Sequence, residues 1–404
     1  SLLHAARSTL AVTVAEIGIT GFRSIRSIRF PLRQLTVLVG GNGVGKTNLY
    51  RSLELLHAAA KGTLADEIAR EGGLGSIFWA GGKNLTDDGS FEPKFRSDGF
   101  RKHEQNRLRL EVRLEDLGGD AGIDASYAIE LGFPDKKVGA AFPTEAQVKT
   151  EVMDIGGGKR PVALLERNGA ALFTRDAEGR RHESDTLILP SETALSGLRG
   201  GHDAIETLRR ELEQWRFYHG FQTHPDSALR RPSRAITSPL LAADGSNLAA
   251  VFATLRHIRQ ETADLDEAID AAFPGARLEV PMPGDSASFA MVFPDTPKRE
   301  FGPHELSDGT LQFLALMGAL HSYRLPPLIA LNEPESSLHP SLLPALAQAI
   351  AKAAERSQLW VVTHSTDLAD ALAAETGTLP REVIRKDGGT WLEGLTPFGA
   401  FEEP

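Results

Sequence analysis

Four short stretches of this chain carry residue types that can hold a phosphate, a divalent metal and an attacking water. Gly40-Gly41-Asn42-Gly43-Val44-Gly45-Lys46-Thr47 fits G-x-x-x-x-G-K-[ST] in full. In such a loop Gly40, Asn42, Gly43 and Gly45 bring backbone N–H groups close to phosphate oxygens, Lys46 reaches the terminal phosphates, and the Thr47 hydroxyl ligates Mg²⁺. In Leu306-Ser307-Asp308-Gly309-Thr310, a Ser-x-Gly turn at a helix start offers N–H groups to an anion. An ordinary helix N-cap looks the same. Its place downstream of the phosphate loop and ahead of an apolar strand favours a role for Ser307, Asp308 and Gly309 at the γ-phosphate of a nucleotide held by another copy. Glu333 ends the apolar run Leu328-Ile329-Ala330-Leu331-Asn332 and is the candidate general base that orients water for in-line displacement. His364 follows the apolar run Leu359–Val362, with Thr363 between, and lies 31 residues after Glu333. It is read as a γ-phosphate sensor, with a merely satisfied strand-end histidine as the alternative.

The elements around these residues must be strands that end where the chemistry begins. Leu35–Val39 is a short apolar run suited to a buried parallel strand. It feeds the glycine loop, and Leu49, Leu53, Leu56 and Ala60 then recur at helical spacing. Strands are expected at Val12–Ile19 and Ser27–Phe30, then at Leu108–Leu114, Ser126–Leu131, Glu145–Met153, Val162–Glu166 and Ala171–Arg175, with short turns that imply antiparallel pairing. Residues 72–99 read as loop. Helices are expected over Asp203–Phe217 and Ser246–Gln260. After Phe301 the order is helix Thr310–Leu320, strand Leu328–Leu331, helix Ser341–Arg356, strand Leu359–Val362, helix Ser365–Ala374, and a closing pair of strands at Arg381–Arg385 and Thr390–Leu395. No heptads are sustained, so no long coiled coil is expected. The organisation is an N-terminal half of a nucleotide-binding head with an antiparallel β subdomain (12–180), a mainly helical lobe (181–285), and a C-terminal half of the head (286–404).

At 404 residues and 41% hydrophobic content the chain can bury an ample core, and no run approaches the roughly 18 apolar residues of a membrane span. Ser1–Leu10 lacks a sustained apolar stretch, which argues against a secretory signal. The absence of cysteine excludes disulfides, thiolate metal sites and cysteine nucleophiles, and fits a reducing cytoplasm. A net charge of −10 argues against a uniformly basic nucleic-acid sleeve. Two arginine clusters remain, one at Lys94, Arg96, Arg101, Lys102, Arg107, Arg109 and Arg113, the other at Arg230, Arg231 and Arg234. They are either solvated faces or a DNA-facing groove, and the alternation from Arg107 to Arg113 is that of a half-exposed strand.

Taken together, these residues resemble the ABC-type ATPases of the SMC/RecF branch. Ile19-Thr20-Gly21-Phe22-Arg23-Ser24-Ile25 is similar to that branch's opening strand and turn, and Asn48 follows Thr47 as it does there. Leu331-Asn332-Glu333-Pro334-Glu335-Ser336-Ser337-Leu338-His339-Pro340 resembles bacterial AAA-family ATPases related to the overcoming-lysogenization-defect (OLD) group. The resemblance implies an α/β P-loop head with a mixed sheet, an antiparallel β subdomain and an inserted, mainly helical lobe. It implies ATP and Mg²⁺ as cofactors, Thr47 and Asn332 as metal ligands, Arg23, Ser24 and Asn48 near the nucleotide, and Gln105 as a candidate metal-contacting glutamine. It further implies head-to-head homodimerisation around two ATP molecules, in DNA repair or phage defence, with DNA and a separate effector or nuclease chain as partners. The alternative is a slowly hydrolysing, nucleotide-gated scaffold. Two departures stand out. Asn332 occupies the place where the branch has an Asp, removing a negative charge beside the metal, and the 40 residues after His364 are too few for a Toprim nuclease domain. His339 and Pro340 either pack on the opposite head or start a helix.

Overall fold

The computed structural model describes residues 13–79, 107–118, 122–135, 141–156, 160–260 and 262–402. Val12, Lys94, Arg96, Arg101, Lys102 and Gln105 lie outside them, as does most of the loop expected over residues 72–99. The chain forms two compact units. One contains Gln34–Val39 and Trp215–Arg381; the other contains Ala11–Arg33, Gly40–Gln214 and Glu382–Pro404.

The unit containing Gly40–Gln214 is built on an eight-stranded antiparallel sheet. Its order is Ile25–Pro31, Thr13–Phe22, Leu108–Leu117, Ile123–Gly132, Gln147–Ile155, Val162–Asn168, Ala171–Arg175, Arg181–Glu183. Leu108, Leu110, Val112 and Leu114 face the core while Arg109, Glu111 and Arg113 alternate outward, the period-2 pattern of a half-buried strand. The helix Lys46–Lys61 packs beside the helix Asp203–Glu213, and the His57 ring meets the Leu212 carbonyl at 2.7 Å. One buried acid ties sheet to helix. Glu151 accepts hydrogen bonds from Tyr127 Oη and from the N–H groups of Ala194 and Leu195, and the neighbouring Thr193 hydroxyl donates to Ala59 O at 2.6 Å. Burial pushes the Glu151 carboxyl above its ordinary range, with those bonds opposing the shift.

The other unit centres on four parallel strands in the order Arg216–Tyr218, Leu328–Asn332, Gln358–Thr363, Leu35–Val39. The last three are almost wholly buried, as strands covered on both faces must be. Asp308–His321, Leu343–Ala354 and Thr366–Thr376 are helices, as expected with small shifts at the ends.

Two expectations required correction. The helix over Asp203–Phe217 stops at Glu213, and Arg216–Tyr218 is a strand paired in parallel with Ile329–Leu331. Trp215, Phe217 and Tyr218 prolong the apolar pattern, but burial beside a finished strand decides their conformation. The helix over Ser246–Gln260 is α-helical only over Leu248–Ala253 and widens to a π-helix over Thr254–Arg259. There the Thr254 hydroxyl donates back to Ala250 O at 2.7 Å, and Gln260 terminates the helix at φ 55°.

Burial pushes the Glu211 carboxyl, on the helix backing Lys46–Lys61, up to about 7. Its folded value lies above its unfolded one, so its neutral form favours the fold below about pH 4.3 and that contribution is lost as pH rises through 7. Glu211→Gln should therefore match the native chain in urea unfolding at low pH and exceed it by ~1–2 kcal/mol above neutrality. Parallel stability curves for the two would refute this.

Candidate functional site

The phosphate loop begins where the strand Leu35–Val39 ends and closes at the helix Lys46–Lys61. Gly45 is that helix's N-cap at φ 103°, and Gly43 has φ 78°, conformations that side chains with a Cβ resist. A Cβ on Gly45 would also run into the Thr390 and Ser24 hydroxyls, and one on Gly40 would lie 2.8 Å from Val383 O. The helix has no side-chain cap and no acidic residue in its first turn, so nothing there competes with an anion for its positive end. Lys46 is buried at 5% exposure and donates to the carbonyls of Gly40 and Gly41, each at 2.6 Å. The ammonium is thereby held inside the curve of the loop. Asn42 and Thr47 are exposed on it.

Beneath the loop lies a hydroxyl network that the sequence reading missed. Thr390 Oγ1 donates to Val44 O at 2.8 Å and pairs with Ser24 Oγ at 2.6 Å, and Asn48 Nδ2 donates to Ser24 Oγ at 2.6 Å. Ser24 and Asn48, expected near the nucleotide, are thus brought together as the floor of the loop. Arg23 sits in the left-handed region at φ 48°, and its guanidinium pairs with Glu71, which also engages Arg51. Thr390 follows Lys46 by 344 residues and carried no local signal.

In the other unit, the parallel register brings the carboxyl ends of the strands into line. Asn332 stands opposite Val362, and Thr363 opposite Val39. Ligands of parallel sheets bind at this edge. Glu333 leaves its strand at φ 48°, its N–H donating to Val362 O at 2.7 Å. A non-glycine residue held there is strained, as functional residues at strand ends often are. The His364 ring lies with Nδ1 3.7 Å from Glu333 Oε1 and 3.2 Å from Glu335 Oε1. Asn332 Nδ2 is 3.5 Å from Nδ1 of His219, the residue after the newly found strand, while Asn332 Oδ1 is buried without a hydrogen-bond partner. A buried, unpaired acceptor oxygen at a strand end fits a metal ion or a metal-bound water. Glu335 and His219 went unassigned in the sequence reading. The first had a signal in its spacing two residues after Glu333; the second had none until its strand was seen.

Ser307 caps the helix Asp308–His321, its hydroxyl accepting from Thr310 N–H. Arg230 braces the turn by donating to Pro303 O, Leu306 O and Asp308 Oδ1. A Cβ on Gly309 would lie 2.8 Å from Ser337 O, so the close approach of these two turns requires glycine. His339 caps a 3₁₀ turn with Pro340 in its first positions, the helix-start reading. Several of the clustered arginines face carboxylates, while Arg231 and Arg234 are exposed. Arg109 pairs with Glu111 and Glu130, Arg113 with Glu115, and Arg230 with Asp308.

Comparison with known proteins places this architecture. Residues 179–370 match a family described as "AAA domain, putative AbiEii toxin, Type IV TA system". That segment contains Ser307, Glu333 and His364 and begins after the phosphate loop. Two solved structures are similar over nearly the whole length. An SMC head bound to the C-terminal winged-helix domain of ScpA superposes with a TM-score of 0.55 at 14% identity, covering 95% of this chain and 98% of that one. An SMC head with coiled coil and joint from Pyrococcus yayanosii gives 0.51 at 10% identity, covering 96% and 98%. No curated protein matches the sequence significantly. The fold is that of an SMC head, a mixed α/β P-loop architecture, and the family match and fold together support a nucleotide-binding ATPase. No helix among the described residues is long and apolar enough to cross a membrane.

Thr390→Val removes both hydroxyl bonds beneath the loop while keeping its shape. Two such bonds at about 1 kcal/mol each imply roughly 30-fold weaker ATP binding by calorimetry, with the circular dichroism spectrum unchanged. Unaltered affinity would mean that the network does not support the loop.

Proposed function

We propose that this chain is a Mg-ATP-dependent ATPase whose heads pair around two ATP molecules. The observation that carries the reading is the strand-end row, in which Glu333 and His364 face one another across adjacent strands and the next parallel strand leads directly into the glycine loop. In this reading the loop amides and Lys46 hold the triphosphate, Glu333 orients the attacking water, and His364 contacts the γ-phosphate. Thr47 and Asn332 hold Mg²⁺, which when bound neutralises charge on the phosphate oxygens. The turn Ser307-Asp308-Gly309, fixed by Arg230, completes the site of a second copy. A role in phage defence or DNA repair is the biological setting we infer, in the cytoplasm and with a separate effector or nuclease chain. The toxin–antitoxin description of the matched family supports defence. DNA remains a proposed ligand: of the described cluster residues, Arg109, Arg113 and Arg230 are paired with carboxylates, while Arg231 and Arg234 are exposed.

A second reading, a nucleotide-gated scaffold with slow hydrolysis, is favoured by Asn332 alone. It leaves the metal with a neutral ligand where a carboxylate would add charge.

Lys46→Ala should abolish tight ATP binding, because the triphosphate then meets no compensating charge. Glu333→Gln should bind ATP normally, stop hydrolysis and persist as an ATP-dependent dimer in light scattering. A Glu333→Gln chain that stays monomeric at every concentration would sink the paired-head reading. Asn332→Asp should shift the Mg²⁺ dependence of turnover to lower concentration, since charged contacts are about twice as strong as neutral ones. No shift, with native turnover near zero, would favour the scaffold.

A further inference from the structure

Glu335 is a buried acid for which phosphoryl transfer, as read above, provides no task. Only 8% of it is exposed. Its Oε1 accepts from the Thr363 hydroxyl at 2.5 Å and from the His364 N–H at 3.1 Å, and lies 3.2 Å from His364 Nδ1. Glu333 is farther from that nitrogen, at 3.7 Å, and its side chain is 37% exposed against 6% for Glu335. The other oxygen, Oε2, is buried without a partner. A carboxylate sunk this deep and left half-satisfied costs stability, so its retention calls for a reason beyond packing. The turn it belongs to is taut. Leu338 N–H donates to Glu335 O at 3.0 Å, Ser337 has φ 66°, and Ser337 O leaves no room for a Cβ on Gly309.

We propose that Glu335 is the positioning residue of His364. Nδ1 lies 3.2 Å from Glu335 Oε1, an ion-pair separation that a small ring rotation turns into a hydrogen bond; since a carboxylate only accepts, that bond needs hydrogen on Nδ1. Nε2 is then left for another partner, on a ring whose side chain is 48% exposed. Doubly protonated, the ring donates through Nε2 to a phosphate oxygen while Glu335 still holds its other edge. The same carboxylate, by anchoring the turn to Thr363, sets where Ser337 meets the Ser307–Gly309 turn. The kinetic consequence rests on the ATPase reading; the ring geometry does not.

Nitrogen-15 NMR of the full-length chain labelled at histidine tests the ring directly. It is run at about pH 8.5, where an ordinary imidazole is neutral, with His364 assigned by its loss in His364→Asn. The native ring is expected to be protonated at Nδ1. Glu335→Leu should move it to the Nε2-protonated form that unconstrained histidine prefers, and Glu335→Gln should keep Nδ1–H because Oε1 still accepts. In steady-state hydrolysis Glu335→Leu should lower kcat about 100-fold with KM changed less than about threefold, and Glu335→Gln should recover most of the loss. A native ring protonated at Nε2 overturns the proposal even if Glu335→Leu fails to fold, and so does a Leu variant with the native spectrum. An Nδ1–H ring in a chain that never hydrolyses ATP upholds the positioning and rejects the ATPase reading instead.

Discussion

The parallel register of three buried strands is the constraint on which the candidate site depends. Leu35–Val39, Gln358–Thr363 and Leu328–Asn332 are buried almost throughout and apolar but for Thr36, Gln358, Thr363 and Asn332, and each is paired with its neighbour in one parallel register. Thr363 must then end level with Val39, and Asn332 level with Val362. The ionisable side chains begin just past that line. Glu333, Glu335, His364 and His219 come from three different loops, yet hydrogen-bonding groups converge there because the hydrophobic register leaves them nowhere else to go.

The polar groups at that edge are held under strain and without full satisfaction. Glu333 and Ser337 occupy left-handed conformations, and Asn332 Oδ1 and Glu335 Oε2 are buried without partners. A region built only for stability would shed such features. The phosphate loop shows the same economy of purpose in the other unit, where Gly45 is forced by the hydroxyls of Thr390 and Ser24 and Lys46 is held by the loop's own carbonyls.

Much of this was legible in the sequence wherever local pattern and tertiary demand coincide. Glycine spacing announced the phosphate loop, and continuous apolar runs announced the strands leading to Glu333 and His364. Arg107–Arg113 was readable as a half-exposed strand because alternation survives pairing with Glu111 and Glu130. Arg216–Tyr218 was not readable. Three residues are too few to establish a period, and they continue the helical pattern of Asp203–Glu213 until a neighbouring strand captures them. With that strand went His219. Thr390 was hidden for a different reason: its partners Ser24 and Val44 are distant in sequence, and a lone threonine near the end of a chain has no distinguishing neighbours.

Hydrogen exchange of the native chain with Mg-ATP, compared with Mg-ADP, tests the central claim most directly. The account predicts strong ATP-dependent protection of the amides around Gly43–Asn48. It also predicts protection around Ser307–Thr310 that grows with protein concentration, because that turn is completed by a second copy. Protection confined to the phosphate loop at every concentration would contradict the paired-head account, and protection at neither place would contradict nucleotide binding itself.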